Sequence, residues 1–469
     1  MIEILSSFLS DRQQRVTLDG LCSEWEEVGA GVPQGSILGP ILFLLYINDI
    51  VEVVESDIKM FADDTFIFRI VDQYSTDILN SDLQKINEWA TLWKMSFNPD
   101  ISKQAVEVFF SKKQKKSILD PLVFNNIPVK KVEETRHLGM ILDSKLSFES
   151  HLNEKLAKAS SSLGLMIQLK KWVSMPVLET VYKLFVRSGL DYCDVVYHKA
   201  NLGKNKDVFN SFSHNNLMNK VESIQYRAAR IITGAWNGSG KGKLYKMLGW
   251  ETLNDRRILK KQIIIYETLK NKFPRYLYSI LQKQQFRLTS RHFESKLKNI
   301  PGGKVYQASF FPSAISDWNN LDQETKNAKS KNIFKNKLLN KIRPKKQPFY
   351  GLSNNRIRLL TMLRVDLSPL NQHKFHYNFS DTRDEFCNSC GGSEDTEHYL
   401  LHCPSMRLTR NTRDQKISII LKTNFSTLPK STKLSYLLYG NDKLNTVQNN
   451  QILNVVAEYI EKSKRLDKM

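Results

Sequence analysis

The chain has 469 residues, of which 41% are hydrophobic and 10% aromatic, and this composition excludes disorder along the whole length. With 20 glycines and 14 prolines it also excludes collagen-like and linker-dominated architectures, and its length allows about three domains. The formal net charge of +21 indicates a polyanionic partner, most commonly nucleic acid.

The charge is divided unevenly along the chain. Residues 1–100 contain 6 Lys and Arg against 17 Asp and Glu, whereas the remaining residues contain 63 against 31. This asymmetry predicts two roles, with attraction of a nucleic-acid backbone confined to the basic remainder. The start, MIEILSSFLSDRQQR, lacks the basic region of a signal peptide, and no run reaches about 18 apolar residues. We therefore expect an intracellular protein, cytoplasmic and nuclear, without a membrane span.

The first hundred residues are predicted to be mixed α/β. A turn at Asp19-Gly20 separates two extended segments, and GVPQGS leads into the apolar helical run ILGPILFLLYIND. In IKMFADDTFIF, two β-rich runs meet at Asp63-Asp64, which predicts a hairpin with an acidic tip. Adjacent carboxylates repel each other, so this tip suits a hard cation such as Mg²⁺; a solvated turn is the alternative.

The next elements alternate between helix and strand. Apolar residues at helical spacing from Leu79 to Trp93 predict an amphipathic helix, with Ser75 or Thr76 as its N-cap and an end before Asn98-Pro99. VEVFF at 106–110 indicates a strand, and the following KKQKK indicates a solvated loop. Residues 122–144 predict a second hairpin.

From His151 to about residue 345 the periodicity is helical. One apolar stripe runs from Leu152 to Met166 and another from Leu217 to Ile231, with basic residues on the other faces of the second. GAWNGSGKGK predicts a loop, and the lysine-rich KSKNIFKNKLLNKIRPKKQ predicts a tether to a last small module. For His137 and His151 we expect packing or surface roles rather than proton chemistry.

Three of the five cysteines lie within 17 residues near the C-terminus. An odd, clustered set is not a disulfide framework, and the spacing C-x2-C-x7-H-x4-C suits a closed, structural Zn²⁺ site. Its predicted ligands are Cys387, Cys390, His398 and Cys403. His402 is the competing nitrogen ligand, and coincidental cysteines are the other alternative. Cys22 and Cys193 are predicted to be small buried hydrophobic residues.

Basic and aromatic residues alternate just before this cysteine cluster. They suit phosphate contact and base stacking, although a solvated helix face explains them almost as well. These residues are Arg356, Arg358, Arg364, Lys374, Phe375 and Tyr377.

GVPQGSILGPILFLLYINDI, followed by KMFADDTFIF, NPDISK and HLGMILDSKLSF, resembles the reverse transcriptase domain of non-LTR (LINE-type) retrotransposons. PQG corresponds to motif B and FADD to motif C of that family, and the likeness extends more weakly to the cysteine cluster. The resemblance implies RNA-directed DNA polymerisation in target-primed retrotransposition. The implied partners are an RNA template, a DNA primer or target, and dNTPs.

The resemblance also implies roles for individual residues. Asp63 and Asp64 would bind two Mg²⁺ ions that activate the primer 3′-hydroxyl and stabilise the leaving pyrophosphate. Lys103 would be a general acid near the pyrophosphate, with a solvated loop lysine as the alternative. The residues implied to lie under the template and incoming nucleotide are Gly31, Pro33, Gln34 and Gly35.

The sequence departs from the family pattern in one respect. The third carboxylate, carried by motif A, and the fingers do not occur in the 469 residues, and we expect the chain to be catalytically deficient alone. The alternative function is that of a non-catalytic RNA- or DNA-binding remnant, which acts through a basic connector and a zinc knuckle.

These inferences together predict an α+β protein built from the C-terminal half of a right-hand polymerase palm, a helical thumb and connector, and a small zinc knuckle. The predicted segments are a partial palm with motifs B, C and D at 1–135, a primer grip and helical thumb at 136–200, a basic helical connector at 201–350, and a C-terminal region with the CCHC zinc knuckle at 351–469.

Overall fold

The computed structural model describes residues 2–72, 74–97, 105–111, 120–198, 209–284, 297–298, 300–302, 304–307 and 309–466. The chain divides into two compact units, Met1–Leu146 and Ser147–Met469. Short strands and helices are mixed in the first unit, and helices dominate the second, so the predicted α+β class is confirmed. Among the described residues, no helix combines the length and hydropathy needed to cross a bilayer.

The strands described in the first unit pair only in twos. Five of these pairs are antiparallel, β1–β4, β2–β3, β5–β6, β8–β9 and β11–β12, and one, β7–β10, is parallel. The strands are Gln13–Gln14 (β1), Thr17–Leu18 (β2), Leu21–Cys22 (β3), Glu26–Glu27 (β4), Asp57–Phe61 (β5), Asp64–Phe68 (β6), Val106–Glu107 (β7), Val123–Phe124 (β8), Ile127–Pro128 (β9), Lys130–Lys131 (β10), Glu134–His137 (β11) and Met140–Asp143 (β12).

The described part of the first unit also contains the helices Ile2–Leu9 (α1), Leu38–Ile47 (α2), which continues into a 3-10 turn at Asn48–Glu52, and Ser75–Leu92 (α3). Its core forms where α2 and the 3-10 turn meet α3 and the β5–β6 hairpin. The fully buried members are Ile47, Ile50, Ile86, Trp89 and Ala90, with Ile58, Met60 and Ile67 of the hairpin packed against them. The hairpin is therefore anchored by one face to a helical core.

Several local predictions for this unit are confirmed and others need correction. The Asp19-Gly20 turn joins β2 to β3, as expected. Ser75 is not an N-cap but the first residue of α3, and Asp72 accepts hydrogen bonds from the N–H of Tyr74 (3.0 Å) and the hydroxyl of Ser75 (2.6 Å). The KKQKK loop and Asn98-Pro99 lie outside the described residues.

The predicted single hairpin at 122–144 is two hairpins. Asn125-Asn126 and Leu138-Gly139 all have positive φ angles, so each pair forms a two-residue turn that closes its own strand pair. The expected strand at 106–110 is confined to Val106–Glu107. The imidazole of His137 packs against Phe66, with ring centroids 5.1 Å apart, which fits its expected packing role.

Helices dominate the described part of the second unit, where a β-bridge also joins Phe386 to Ser393. Its α-helices are Glu149–Leu169 (α4), Met175–Val181 (α5), Ser188–Asp191 (α6), Asp194–Tyr197 (α7), Phe209–Thr233 (α8), Lys241–Leu248 (α9), Leu253–Asn271 (α10), Arg275–Lys283 (α11), Lys304–Gln307 (α12), Phe310–Asn319 (α13), Gln323–Lys326 (α14), Lys331–Ile342 (α15), Asn354–Arg364 (α16), Asn371–His376 (α17), Arg407–Leu421 (α18), Lys430–Tyr439 (α19) and Thr446–Ser463 (α20). A π-helical stretch, Tyr182–Arg187, joins α5 to α6.

The two predicted apolar stripes are confirmed as helix faces, with one shift. The buried side of α4 contains Leu152, Ala159, Leu163 and Met166, and His151 joins it by packing on Tyr197 with ring centroids 5.6 Å apart. On α8, Ile232 rather than Ile231 is fully buried. Because α4 packs against α8, these stripes form a shared core.

The lysine-rich segment before Pro344 is not a free tether. It forms α15, whose Phe334 and Leu338 are buried against α10 and α13. Beyond the helix, Arg343 pairs with the buried Glu251 at 2.8 Å, and Lys346 pairs with the buried Glu179 at 2.5 Å. Helical spacing of apolar residues between the lysines, together with these ion pairs, fixes the segment to the rest of the second unit.

Candidate functional site

The two predicted magnesium ligands, Asp63 and Asp64, lie at the turn of the β5–β6 hairpin. Phe61 pairs with Asp64 as the last register pair, so the two-residue turn consists of Ala62 and Asp63, and Asp64 begins the second strand. Ala62 has a left-handed φ of 51°. The turn is thus one residue earlier than the predicted Asp63-Asp64 tip, because this register turns Ile58 and Ile67 together towards the core. Both carboxylates are exposed.

A buried aspartate holds the entry to this hairpin. Asp82 of α3 accepts hydrogen bonds from the N–H of Glu55 at 2.8 Å and of Ser56 at 2.9 Å, just before β5 begins. Burial by itself would raise the pKa of Asp82, but the hydrogen bonds from Glu55 and Ser56 hold it below its ordinary value. Asp82 was missed in the sequence, although an acidic residue on the apolar face of a predicted helix is the pattern that could have revealed it.

The predicted substrate loop precedes α2. Gly31 and Gly35 have φ angles of 78° and 79°, so both positions use backbone conformations that side chains rarely adopt. Arg12 donates a hydrogen bond to the Gly31 carbonyl at 2.7 Å, and Ser36 donates to the Pro33 carbonyl at 2.7 Å. Pro33 is therefore fixed in a turn.

The described structure does not bring the predicted substrate-binding loop and the predicted catalytic residues together. Gln34 is exposed, and in the described ranges no hydrogen bond, ion pair or ring contact joins the 31–36 loop to the hairpin turn. Lys103 lies outside the described residues. In the part of the chain that is described, Asp63 and Asp64 do not belong to any group of three or more potential metal ligands.

The four predicted ligands of the second site do come together. The sulfur or nitrogen atoms of Cys387, Cys390, His398 and Cys403 all lie within 4.8 Å of one another. Cys387 Sγ is 3.9 Å from Cys403 Sγ, and Cys390 Sγ is 3.3 Å from His398 Nε2. A tetrahedral ion with metal–sulfur bonds of about 2.3 Å requires a sulfur–sulfur separation of about 3.8 Å. The cluster therefore has the dimensions of a zinc site.

The two-cysteine loop is shaped by backbone hydrogen bonds. The N–H groups of Cys390 and Gly391 both donate to the Cys387 carbonyl, at 3.3 and 2.8 Å, and the Cys387 N–H donates to Gly392 at 2.8 Å. Gly391 has a φ of 75°, which permits the chain to reverse here. The loop presents both sulfurs to one side.

The geometry separates the two candidate histidines. His398 begins a π-helical turn, His398–His402; its N–H donates to Asp395 at 2.6 Å, and its carbonyl accepts from the Cys403 N–H at 2.8 Å. His402 is exposed and its Nε2 lies 3.1 Å from Glu397. Only His398 faces the sulfurs.

The cysteine loop is attached to a helical core instead of standing alone as a small module. Glu394 is buried and accepts hydrogen bonds from Arg465 and, at 2.8 Å, from the Asn371 N–H. From α18, Arg410 donates to the Cys403 carbonyl at 2.8 Å and Arg413 to the Leu400 carbonyl at 2.9 Å. These anchors had no recognisable pattern in the sequence.

Other cysteine and basic-residue predictions need correction. Cys22 is exposed at the end of β3, and Cys193 is half-buried, so neither is a buried core residue. Arg364 is buried and donates to the Leu438 carbonyl at 2.8 Å, and Lys374 is buried and pairs with Asp381. Arg356 pairs with Glu461 at 3.2 Å. Packing therefore uses three of the four predicted phosphate-contacting cations, and the exposed Arg358 is the exception.

Residues 3–142 match the protein family described as "Reverse transcriptase (RNA-dependent DNA polymerase)". The chain is 27% identical over 242 residues to the probable RNA-directed DNA polymerase from transposon X-element of Drosophila melanogaster, a match that covers 49% of this chain and 25% of that protein. It is 27% identical over 252 residues to the RNA-directed DNA polymerase from mobile element jockey of Drosophila funebris, covering 50% and 25%. The jockey protein of Drosophila melanogaster is 26% identical over 245 residues, again covering 50% and 25%.

The chain thus matches about a quarter of the length of these curated relatives. The resemblance to LINE-type reverse transcriptases, stated from the PQG and FADD motifs, is confirmed by these matches. The acidic hairpin and the 31–36 loop both lie inside the matched range, 3–142.

Proposed function

We propose that this chain, whose residues 3–142 are similar to the reverse transcriptases of mobile elements, takes part in RNA-directed DNA polymerisation. Its partners would be an RNA template, a DNA primer or target, and dNTPs. The observation that carries the proposal is the exposed pair Asp63 and Asp64 at a hairpin that a helical core holds from behind.

The hairpin carboxylates would hold the metal of this reaction. Asp63 and Asp64 offer hard oxygen ligands at an exposed turn, and such ligands suit Mg²⁺. Magnesium bound there would supply the charge neutralisation that phosphoryl transfer requires. Lys103 is proposed as the general acid. The proposed contacts with template and nucleotide come from Gly31, Pro33, Gln34 and Gly35.

The proposed organisation follows the sequence segments. Residues 1–135 would be the partial palm, 136–200 the primer grip and thumb, 201–350 the basic connector, and 351–469 the region of the zinc knuckle. We further propose that the 469-residue polypeptide is deficient in polymerisation by itself. The support is that, in the described ranges, no third ligand joins Asp63 and Asp64, whereas the resemblance implies a third carboxylate, from motif A, for the two-metal site.

The cysteine cluster is proposed to hold a structural Zn²⁺ through Cys387, Cys390, His398 and Cys403. Three thiols and one imidazole are a donor set that zinc prefers, and their spacing fits a tetrahedron. A bound zinc would tie the cysteine loop to the turn that carries His398. All five cysteines are free, as is usual in the reducing interior of the cell. The proposed location is accordingly intracellular, cytoplasmic and nuclear.

Metal-directed cleavage tests the hairpin site without requiring catalysis. Fe²⁺ replaces Mg²⁺ in the presence of an RNA template annealed to a DNA primer, and ascorbate with peroxide then cuts the backbone near the bound iron. We expect cuts close to residue 63 that disappear in Asp63→Asn/Asp64→Asn. Asp57→Asn, at the other end of β5, is the matched control and should leave the cuts unchanged. Absence of cuts in the wild-type chain would contradict the proposal.

Primer extension tests the proposed deficiency. The purified chain, Mg²⁺, four dNTPs and a primed RNA template should give no template-dependent product. Primer extension by the wild-type chain that is lost in Asp63→Ala would establish the polymerase activity. It would also show that the proposed deficiency is wrong.

The second candidate is a non-catalytic RNA- or DNA-binding remnant. It is favoured by the contrast between the fully assembled Cys3His cluster and Asp63 and Asp64, which no third ligand joins among the residues that the structure describes. RNA binding that falls steeply with salt, together with the absence of both nucleotide incorporation and iron-directed cuts, would support this candidate.

A further inference from the structure

The end of helix α4 places a lysine in a rigid turn beside helix α16. Lys170 is the C-cap of α4, and its carbonyl and that of Val173 both accept hydrogen bonds from the side-chain amide of Asn354, at 3.2 and 2.8 Å. Asn354 is the first residue of α16. The turn is therefore held against the helix that carries Arg358.

Gly234, which has no side chain, leaves room for the two cations to lie close together. Gly234, which follows α8, has a φ of 70°, and a Cβ atom there would lie 3.0 Å from Cβ of Arg358 and 3.5 Å from Nζ of Lys170. Any side chain at 234 would push the arginine stem or the ammonium away. Helices α4, α8 and α16 thus converge, and two positive side chains lie next to the backbone of Gly234.

Among the residues that the structure describes, no acid compensates the charges of these two cations. Burial, followed by the charge of Arg358, lowers the pKa of Lys170. Within the described residues, neither Lys170 nor Arg358 forms an ion pair with a carboxylate. On the same helix, Arg356 does pair with Glu461. Like charges held together cost stability, so their retention without an acid fits a site for an anionic ligand.

An exposed aromatic ring lies directly beside this pair in the chain. Lys171 and Trp172 follow Lys170, and Trp172 is 84% exposed. An indole left in solvent contributes little to packing, whereas beside cations it suits stacking on a nucleobase. An acidic peptide would use the charges but would not need the ring.

We propose that Lys170, Lys171, Trp172 and Arg358 form a binding site for single-stranded nucleic acid, in which the cations hold phosphate and the indole stacks on a base. The proposal rests on the proposed function, since it takes nucleic acid as the ligand class. It deepens that function by assigning the contact to one surface of the second unit.

Fluorescence anisotropy with a labelled 15-nucleotide single strand tests the site in the full chain. Lys170→Gln/Arg358→Gln should weaken binding about tenfold or more, and the slope of log K against log salt should become shallower by about 0.7 for each phosphate that is no longer neutralised. The control, Lys422→Gln/Lys430→Gln, removes two exposed charges at the ends of α18 and α19 and should change binding much less.

The stacking interaction has its own readout. Trp172→Ala should weaken binding about 5- to 150-fold, and this effect should vanish on an abasic strand of equal length. An equal weakening on both strands would overturn the stacking role.

Thermal unfolding separates a binding role from a structural one. Because the two cations repel each other, Lys170→Gln/Arg358→Gln should unfold at the same temperature as wild type or higher, and a clear decrease in stability would instead indicate a structural pair.

Competition by polyglutamate as effective as by the single strand would overturn the choice of nucleic acid. If wild type binds the strand, and Lys170→Gln/Arg358→Gln weakens binding no more than the control Lys422→Gln/Lys430→Gln, the site is wrong while the proposed function stands. If wild type does not bind at all, the proposed function fails as well.

Discussion

The imidazole of His398 lies directly against the α-carbon of Gly392. A Cβ atom at Gly392 would lie 3.0 Å from Cε1 and 3.2 Å from Nδ1 of the ring, closer than almost all such contacts. The cysteine loop and the turn that carries the histidine therefore meet at a residue without a side chain. We therefore expect this contact to position the ring for its approach to the three sulfurs.

Gly392→Ala should displace the His398 ring and weaken zinc binding about 10- to 100-fold, as changes next to metal ligands commonly do. Competition with a chromophoric chelator measures the affinity. The control is Gly242→Ala, on the exposed face of α9, where an added Cβ would meet no neighbouring group within 4 Å. It should leave zinc affinity unchanged. Equal affinities for both variants and wild type would show that the contact does not position the ligand.

The cluster should bind one zinc ion per chain. Cys403→Ser removes a buried ligand and should lower both the stoichiometry and the affinity, because a hydroxyl is a poor zinc ligand. Cys22→Ser, at an exposed cysteine in the other unit, should bind zinc as wild type does. Atomic absorption after gel filtration gives the stoichiometry.

Zinc removal should loosen the cysteine loop without unfolding the helices beneath it. The reason is that α20 buries Ile452, Leu453 and Val456 and packs against α16, α18 and α19, so its burial does not depend on the cysteine loop alone. Hydrogen exchange after chelation should therefore rise at 385–406 and remain slow in α20. Loss of protection in α20 would mean that the metal supports the whole core.

Asp82→Ala should destabilise the first unit by about 2–4 kcal/mol, since it leaves the N–H groups of Glu55 and Ser56 without an acceptor. Hydrogen exchange of the β5 amides in urea reports this change. Glu88→Ala, an exposed acid on the same helix, should alter the free energy of unfolding by less than about 0.5 kcal/mol.

Glu251 should stabilise the second unit in a manner that depends on pH. Burial alone would raise its pKa, but hydrogen bonds from Arg343 and Arg256 lower it to about 2. A depressed carboxyl pKa stabilises the fold above the unfolded value of 4.5, and this contribution is lost as pH falls through about 2.

Glu251→Gln should consequently lower the free energy of unfolding by about 3–5 kcal/mol near neutral pH and by progressively less below pH 4.5. Glu267→Gln breaks the partly exposed pair with Lys331 and should cost at most about 1 kcal/mol. Urea titrations at several pH values measure both, and a pH-independent difference for Glu251→Gln would contradict the assignment of its pKa.

The sequence alone determined the features that depend on near neighbours. The Asp19-Gly20 turn, the FADD hairpin and the apolar stripe of α4 follow from turn residues and from periods of two and 3.6, which neighbouring residues set. The four-ligand cluster was also predictable, because its ligands span only 17 residues.

Only the tertiary structure decided which side chains remain available. Arg356, Arg358 and Arg364 follow one another on α16, yet one pairs with an acid, one stays exposed and one is buried. Glu461, the partner of Arg356, is 105 residues away in the sequence, and no local sequence pattern predicts a contact over that separation. Asp82 and His398 were selected in the same way, since burial and orientation depend on which elements pack together.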